Sequence, residues 1–223
     1  MQMFDWQPFI LSLELAFLST LLLLVFGVPL AYWISQSKSR MKFLLDALVS
    51  LPLVLPPSVL GFYFLVLFSP AGFLGEFLQN SLGISLVFSF EGLVAATFLF
   101  SLPFLVNPVK TGFESLPEYF AEVSEILGKS RWSVFWKVQL PNLKPSLITG
   151  ACMGFAHSMG AFGFILMIGG NIPGKTRVAS VAIYNSLERM DYQGAHLNAF
   201  ILVILSLLIL SMVHFLKKKV WEV

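Results

Sequence analysis

Glu118, Glu122 and Glu125 recur at helical spacing in a stretch that also holds Lys129, Arg131, Trp132, Trp136 and Lys137 and closes on Val138-Gln139-Leu140-Pro141. The surrounding chain is 57% hydrophobic and only 12% charged, so this concentration of charge must be read by something outside hydrocarbon. Two readings compete. An amphipathic connector in the membrane interface would collect tryptophans and lysines. An acidic stripe, however, is repelled by anionic headgroups and suits a soluble partner that offers basic groups. Docking, rather than bond chemistry, is the expectation for residues 113–141.

Few other residues offer chemistry. His157 lies in an apolar run with no second histidine or carboxylate at ligand spacing, so a neutral, hydrogen-bonded packing histidine is expected ahead of a ligand or proton carrier. Ser158 follows it but points in another helical direction. The lone Cys152 gives neither a disulfide framework nor a thiolate metal site. A P-loop, a Gly-x-Ser-x-Gly elbow and a His-Glu-x-x-His pair are missing from the sequence, so no catalytic residue and no metal site are expected. Lys175 and Arg177, beside the turn-forming Pro173-Gly174, can draw an oxyanion, contact a partner, or simply be solvated loop charges. Glu14 in the first apolar run calls for a neighbouring subunit or a wet crevice.

What positions these groups is a set of membrane helices. Mean hydropathy is +0.83, and five runs, 8–34, 43–69, 91–112, 145–169 and 195–216, are continuous enough to span at about 20 residues each. Strands of a barrel would alternate instead. The 223 residues leave room for one membrane domain, 1–223. Met1 to Gln7 contains no lysine or arginine, so the first run is expected to be a mature helix rather than a cleaved leader. Of the 14 basic residues, all but Lys175, Arg177 and Arg189 fall in or beside the odd-numbered loops or at the C-terminus. That asymmetry puts the N-terminus outside and the acidic stretch in the cytoplasm. A net charge of +2 gives no reason to expect a nucleic acid.

Local signals refine the picture. Ser115-Leu-Pro-Glu118 reads as a capping box that starts a helix, closed at Gly128. A second short helix follows Ser130 and is expected to end at Pro141. Pro52, Pro56 and Pro57 must kink or break the second run, and freed backbone inside a membrane lines a cavity or is shielded by protein. On this basis Pro56, Pro57, Ser58 and Gly61 are either a plain kink or part of a route. Gly150, Gly154, Gly160, Gly163, Gly169 and Gly170 allow close approach of the fourth run to its neighbours.

Glu122, then Gly128 after five residues, then Val138-x-Leu140-Pro141, resembles the EAA loop of the permeases of ATP-binding-cassette (ABC) importers, with Val123-Ser124 where two alanines are usual. The resemblance implies an all-α, type I importer fold of the MetI-like kind with about five spans. It also implies a coupling helix docked on a separate ATPase subunit, with ATP and magnesium bound there and no cofactor on this chain. Glu122, Val123, Ser124, Gly128, Val138, Leu140 and Pro141 would form that contact.

Leu51-Pro-Leu-Val-Leu-Pro-Pro57 with Gly61, Gly72-Phe-Leu-Gly-Glu76 and Asn171-Ile-Pro-Gly-Lys-Thr-Arg177 resemble the molybdate permeases. That branch implies a second copy of the chain, two ABC ATPase subunits, an extracytoplasmic oxyanion-binding protein and lipid as partners. It also implies a bacterial plasma-membrane location, with sulfate or tungstate as alternative cargo. His157, Gly160 and Gly163 would lie near the route, and Asn171, Pro173, Lys175 and Arg177 outside. Such permeases commonly carry Gly-Glu-Phe-Gly, with an arginine four residues before the glutamate. Here Gly160-Ala161-Phe162-Gly163 and His157 replace a charged pair by a neutral one. Two rival classes remain: an ion-coupled carrier, for which matching halves and paired carboxylates are lacking, and an intramembrane enzyme, which needs a clustered nucleophile and base.

Overall fold

The computed structural model describes residues 4–37, 39–117 and 128–221, all of their regular structure helical. Helix α1, Gln7–Gln36, carries a π-turn at Leu23–Gly27. Its cause is at hand, because Pro29 has no amide to give back to the preceding turn and the helix widens where that bond is lost. The second run is broken as the prolines require. Helix α2, Met41–Leu53, and helix α3, Pro57–Phe68, meet at 111°, with Pro56 in an extended conformation between them.

Helix α4, Phe73–Leu82, ends on Gly83 at φ 66°. Helix α5, Phe90–Ser115, crosses in 26 residues despite Pro103 and Pro108 in its interior. Leu105, Val106 and Val109 around them are fully buried, so packing holds straight what the prolines would break. The fourth run differs from expectation. Instead of one helix over 145–169 it is α6, Lys144–Gly160, and α7, Gly163–Gly169, bent by 64° at Ala161-Phe162, whose backbone leaves the helical region. Helix α8, Ala179–Glu188, precedes α9, Tyr192–Trp221. Among the described residues three helices are long and apolar enough to cross a membrane, or up to five if each bent pair is one span.

Two apolar clusters hold the bundle. One joins Leu15, Phe64, Leu93, Phe100, Phe164 and Ile168; the other joins Leu23, Ile34, Leu105, Val109, Phe113, Phe135 and Leu143. Small residues set the spacing between them. A Cβ on Gly150 would stand 3.1 Å from the Leu105 carbonyl oxygen, and one on Gly154 2.7 Å from Leu23, so these glycines serve close packing of α6 on α5 and α1. Helix α9 is the opposite case, with 6% of its apolar window buried and Phe200, Leu207 and Leu208 exposed, a surface that suits hydrocarbon rather than water.

Candidate functional site

Three places gather the polar side chains. At the end of the bundle that carries most of the basic residues, Lys110 Nζ donates to Asp46 Oδ1 at 2.6 Å and Lys42 Nζ to Glu114 at 3.1 Å, tying α2 to α5. The two pairs differ in worth. Lys110 keeps 15% and Asp46 34% of their side-chain surface, whereas the second pair is 33% and 41% exposed and contributes only a few tenths of a kcal/mol. Removing one partner of the first pair, by Lys110→Met or Asp46→Leu, is expected to destabilise the protein by about 2 kcal/mol, below the range for a fully buried pair because Asp46 stays partly hydrated. The double variant should recover most of it. The thermal unfolding midpoint in detergent checks both.

The described part of the stretch expected to dock a partner, residues 128–141, lies at the same end. Glu122, Val123 and Ser124, together with Glu118 and Glu125, lie outside the described residues. Of the two side chains expected to form the capping box, Ser115 is described and Glu118 is not; the Ser115 hydroxyl donates to the Gly112 carbonyl at 2.8 Å, closing α5. Gly128 has φ 64°, the left-handed conformation that ends a helix at little cost only for glycine. Ser130 then caps the next turn, its Oγ accepting the Ser133 amide at 3.3 Å.

The second short helix does not stop at Pro141. It runs as Arg131–Val134, a π-turn at Phe135–Gln139 and Leu140–Asn142, directly into α6. Pro141 and Pro145 each occupy a first helical turn, where a missing amide is no loss. One face is anchored: Phe135 is buried against Tyr32 and Phe113 with ring centroids 4.9 and 6.1 Å away. The other is open, with Trp132 at 67% and Trp136 at 58% exposure. Val138 and Leu140 are half-buried and Pro141 exposed. Gln139, buried with its Oε1 unpartnered, gave no sign in the sequence.

The second place is the pair of helix breaks. Pro56, Pro57 and Ser58 are exposed, as is Gly160, and a Cβ on Gly160 would meet nothing. Gly61 does not share that exposure. It is buried, and a Cβ there would stand 3.2 Å from both Phe164 Cα and Met167 Sδ, so its missing side chain seats α7 on α3. Gly163 is half-buried near Pro57.

One turn before the break in the fourth run, Ser101 of α5 is fully buried, with its Oγ 3.0 Å from His157 Nδ1 and 3.2 Å from Ser158 Oγ. Ser158 in turn donates to the Gly154 carbonyl at 2.8 Å. One proton arrangement uses all three contacts: His157 Nδ1–H to Ser101, Ser101 to Ser158, Ser158 to Gly154, with Nε2 left as an acceptor. The imidazole also stacks on Phe104 at a centroid distance of 3.9 Å. The sequence set Ser158 apart from His157; a third residue, 56 positions away from His157, brings them together. Ser101 is too deep for a substrate to reach, so this is hydrogen-bonded packing rather than a nucleophile and base. No group of three or more metal-ligating side chains occurs among the described residues.

The third place is at the opposite end. Arg177 Nε donates to Asn171 Oδ1 at 2.5 Å and its Nη2 reaches the Asn171 carbonyl at 3.4 Å, while Asn171 Nδ2 donates to Asn185 Oδ1 at 3.0 Å. Thr176 ties the same turn to α7 through the Gly169 carbonyl at 2.6 Å. Pro173 and Lys175 are exposed beside it. The start of α8 is held by α1, because Ser12 Oγ accepts the Ala179 amide at 2.8 Å. Beside this turn lies a polar pocket of about 380 Å³, lined by residues that include Asp5, Arg177, Asn185, Arg189 and Asp191.

Residues 23–222 match the family described as binding-protein-dependent transport system inner membrane component. The chain is 48% identical over 201 residues to the molybdenum transport system permease protein ModB of Azotobacter vinelandii, covering 90% of this chain and 88% of that one. It is 36% identical over 204 residues to the sulfate transport system permease protein CysT of Escherichia coli (strain K12), covering 92% and 73%. Among solved structures, a bacterial alginate ABC transporter in complex with an alginate pentasaccharide-bound periplasmic protein superposes with a TM-score of 0.81 at 17% identity, covering 98% of this chain and 80% of that one.

Proposed function

This chain belongs to the binding-protein-dependent transport system inner membrane components, and from that premise we propose that two copies of it enclose the route by which a tetrahedral oxyanion, molybdate in the first place, enters a bacterial cell. The observation that carries the cargo is the 48% identity to a molybdenum permease across nine-tenths of the chain, against 36% to a sulfate permease. Sulfate and tungstate are the alternatives that share its charge and shape.

A dianion does not cross hydrocarbon unaided, and the sparse intramembrane charge of this chain supplies no proton relay to drive it. The driving free energy therefore comes from two separate ATPase subunits, which hold the ATP and magnesium and do the bond chemistry. A ligand shifts a conformational equilibrium only by its differential affinity for the two states. Closure of the ATPase dimer supplies that difference through Glu122, Val123, Ser124, Gly128, Val138, Leu140 and Pro141, on the cytoplasmic side. The Phe135 anchor makes the connection stiff, since a push on the open face of this loop is delivered to α1 and α5 through the aromatic cluster. Pro56, Pro57 and Ser58 with Gly160 line the route at the two breaks, with Gly61, Gly163 and His157 packed behind them. The N-terminus and the turn at Asn171 to Arg177 face outward, where an oxyanion-binding protein delivers the cargo, and α9 meets lipid.

The test is uptake of labelled molybdate into vesicles carrying the chain with its candidate ATPase and binding protein. Uptake that needs ATP, stops with vanadate and yields to tungstate more readily than to sulfate is the expected result. Uptake that follows a proton or sodium gradient without ATP overturns the reading in favour of a secondary carrier.

A further inference from the structure

The pocket between the start of α1, the far end of α8 and the start of α9 has a chemistry of its own. We infer that it is a binding site for a small tetrahedral oxyanion, built on Arg177, Arg189 and Asn185. Its direction, facing the source of the cargo, rests on the importer reading; the anion chemistry does not.

Arg177 is held by Asn171, which offers it an amide oxygen and a backbone carbonyl. Both partners are neutral, so the guanidinium is oriented without losing its charge, and its remaining donors form part of the fork that suits an oxyanion. The same amide fixes Asn185: because Asn171 Nδ2 donates to Asn185 Oδ1, Asn185 has its own NH₂ left to give to the pocket. Arg189 lines the other side, and among the described residues neither arginine is in a salt bridge.

The two carboxylates are already engaged. Asp5 Oδ1 accepts the Gln7 amide at 3.0 Å and Asp191 Oδ1 accepts the Gly194 amide at 2.9 Å. Each sits at a helix start, whose partial positive charge offsets its own. The lining thus carries two cations and two anions, and what it adds for an oxyanion is N–H donors, from Arg177, Arg189 and Asn185, which bond no side-chain acceptor other than Asn171 among the described residues. A volume of about 380 Å³ admits such an anion with several waters, each of which takes about 30 Å³ in the liquid. Lys175, which the sequence pairs with Arg177, does not line the pocket.

Equilibrium binding of labelled molybdate to the chain assembled with its ATPase in lipid nanodiscs, without the binding protein, tests this. Saturable binding displaced by sulfate but not by acetate is expected. It should weaken at least about tenfold in Arg177→Gln and in Arg189→Gln, the loss of charge-assisted bonds, and stay within about twofold in Lys175→Gln, whose solvated charge is screened. If Arg177→Gln fails to assemble, Arg189→Gln, whose side chain holds up no hydrogen bond among the described residues, carries the test. Absent binding, or binding unchanged in Arg189→Gln, overturns the site. Displacement by acetate as readily as by sulfate overturns it too and assigns the pocket to a protein carboxylate. Binding lost while ATP-driven uptake persists strikes only the pocket; binding intact while no ATP-driven uptake occurs strikes only the importer reading.

Discussion

Glu122→Lys is expected to abolish ATP-driven uptake and to leave the ATPase behind on purification, while the permease itself still inserts and unfolds at the wild-type temperature. The residue lies in the acidic stripe of a loop whose described part is anchored by Phe135 and turned by Gly128 at φ 64°. In the proposed docking on the ATPase, reversing this charge replaces an attraction by a repulsion that costs several kcal/mol, enough to empty a micromolar complex. Co-purification and uptake measured on the same preparation decide it. Retention of both would return the stretch to an interfacial connector and remove the coupling role from Val138, Leu140 and Pro141 as well.

A second large effect is expected where α5 begins. Ser89 Oγ accepts the Gly92 amide at 3.0 Å and donates to the Leu86 carbonyl at 2.8 Å, so one hydroxyl stitches the entering chain to the helix. This turn is so tight that a Cβ on Gly92 would stand 1.6 Å from the Leu86 oxygen. That oxygen belongs to the backbone and cannot rotate away, and Phe88 beside it is already at φ 57° with its amide bound to the Ile168 carbonyl. Gly92→Ala must therefore displace the turn, break the cap and loosen α7, at a cost of about 3 kcal/mol or more. A markedly lower unfolding midpoint and faster chymotrypsin cleavage at Phe88 and Phe90 are the readouts. Gly160→Ala, where the added methyl meets only open space, should leave the midpoint where it is.

Sequence periodicity and composition located much of this. Continuous apolar runs marked the spans, because a membrane helix needs length more than pattern. Pro52, Pro56 and Pro57 marked the first break, because a missing amide is a local fact. Gly150 and Gly154 announced close packing. The second break was harder, since no proline stands at Ala161-Phe162; its only trace is glycine on either side, at 160 and 163. Helices α4 and α8 escaped notice because ten residues each are too few to raise a hydropathy window.

The polar clusters were hidden for a different reason. Ser101 is an ordinary serine until the fold sets it beside His157, and Asn185 acquires meaning only through Asn171. The sequence treated Lys175 and Arg177 alike; the structure separates them, because the turn that Thr176 fastens to Gly169 points one toward the pocket and leaves the other in solvent.

The two bends belong to different spans, yet the segments beyond them, α3 and α7, are fitted to each other, Gly61 on the backbone of Phe164 and Gly163 beside Pro57. The consequence is mechanical. A swing of either segment would disturb the other, and both join the rest of their spans where the backbone leaves helical geometry, at Pro56 and at Ala161-Phe162. The Ser180 hydroxyl, donating to the Ala161 carbonyl at 2.7 Å, ties the second break to α8. Strain at either break would thus be felt in both segments and, through Ser180, in α8.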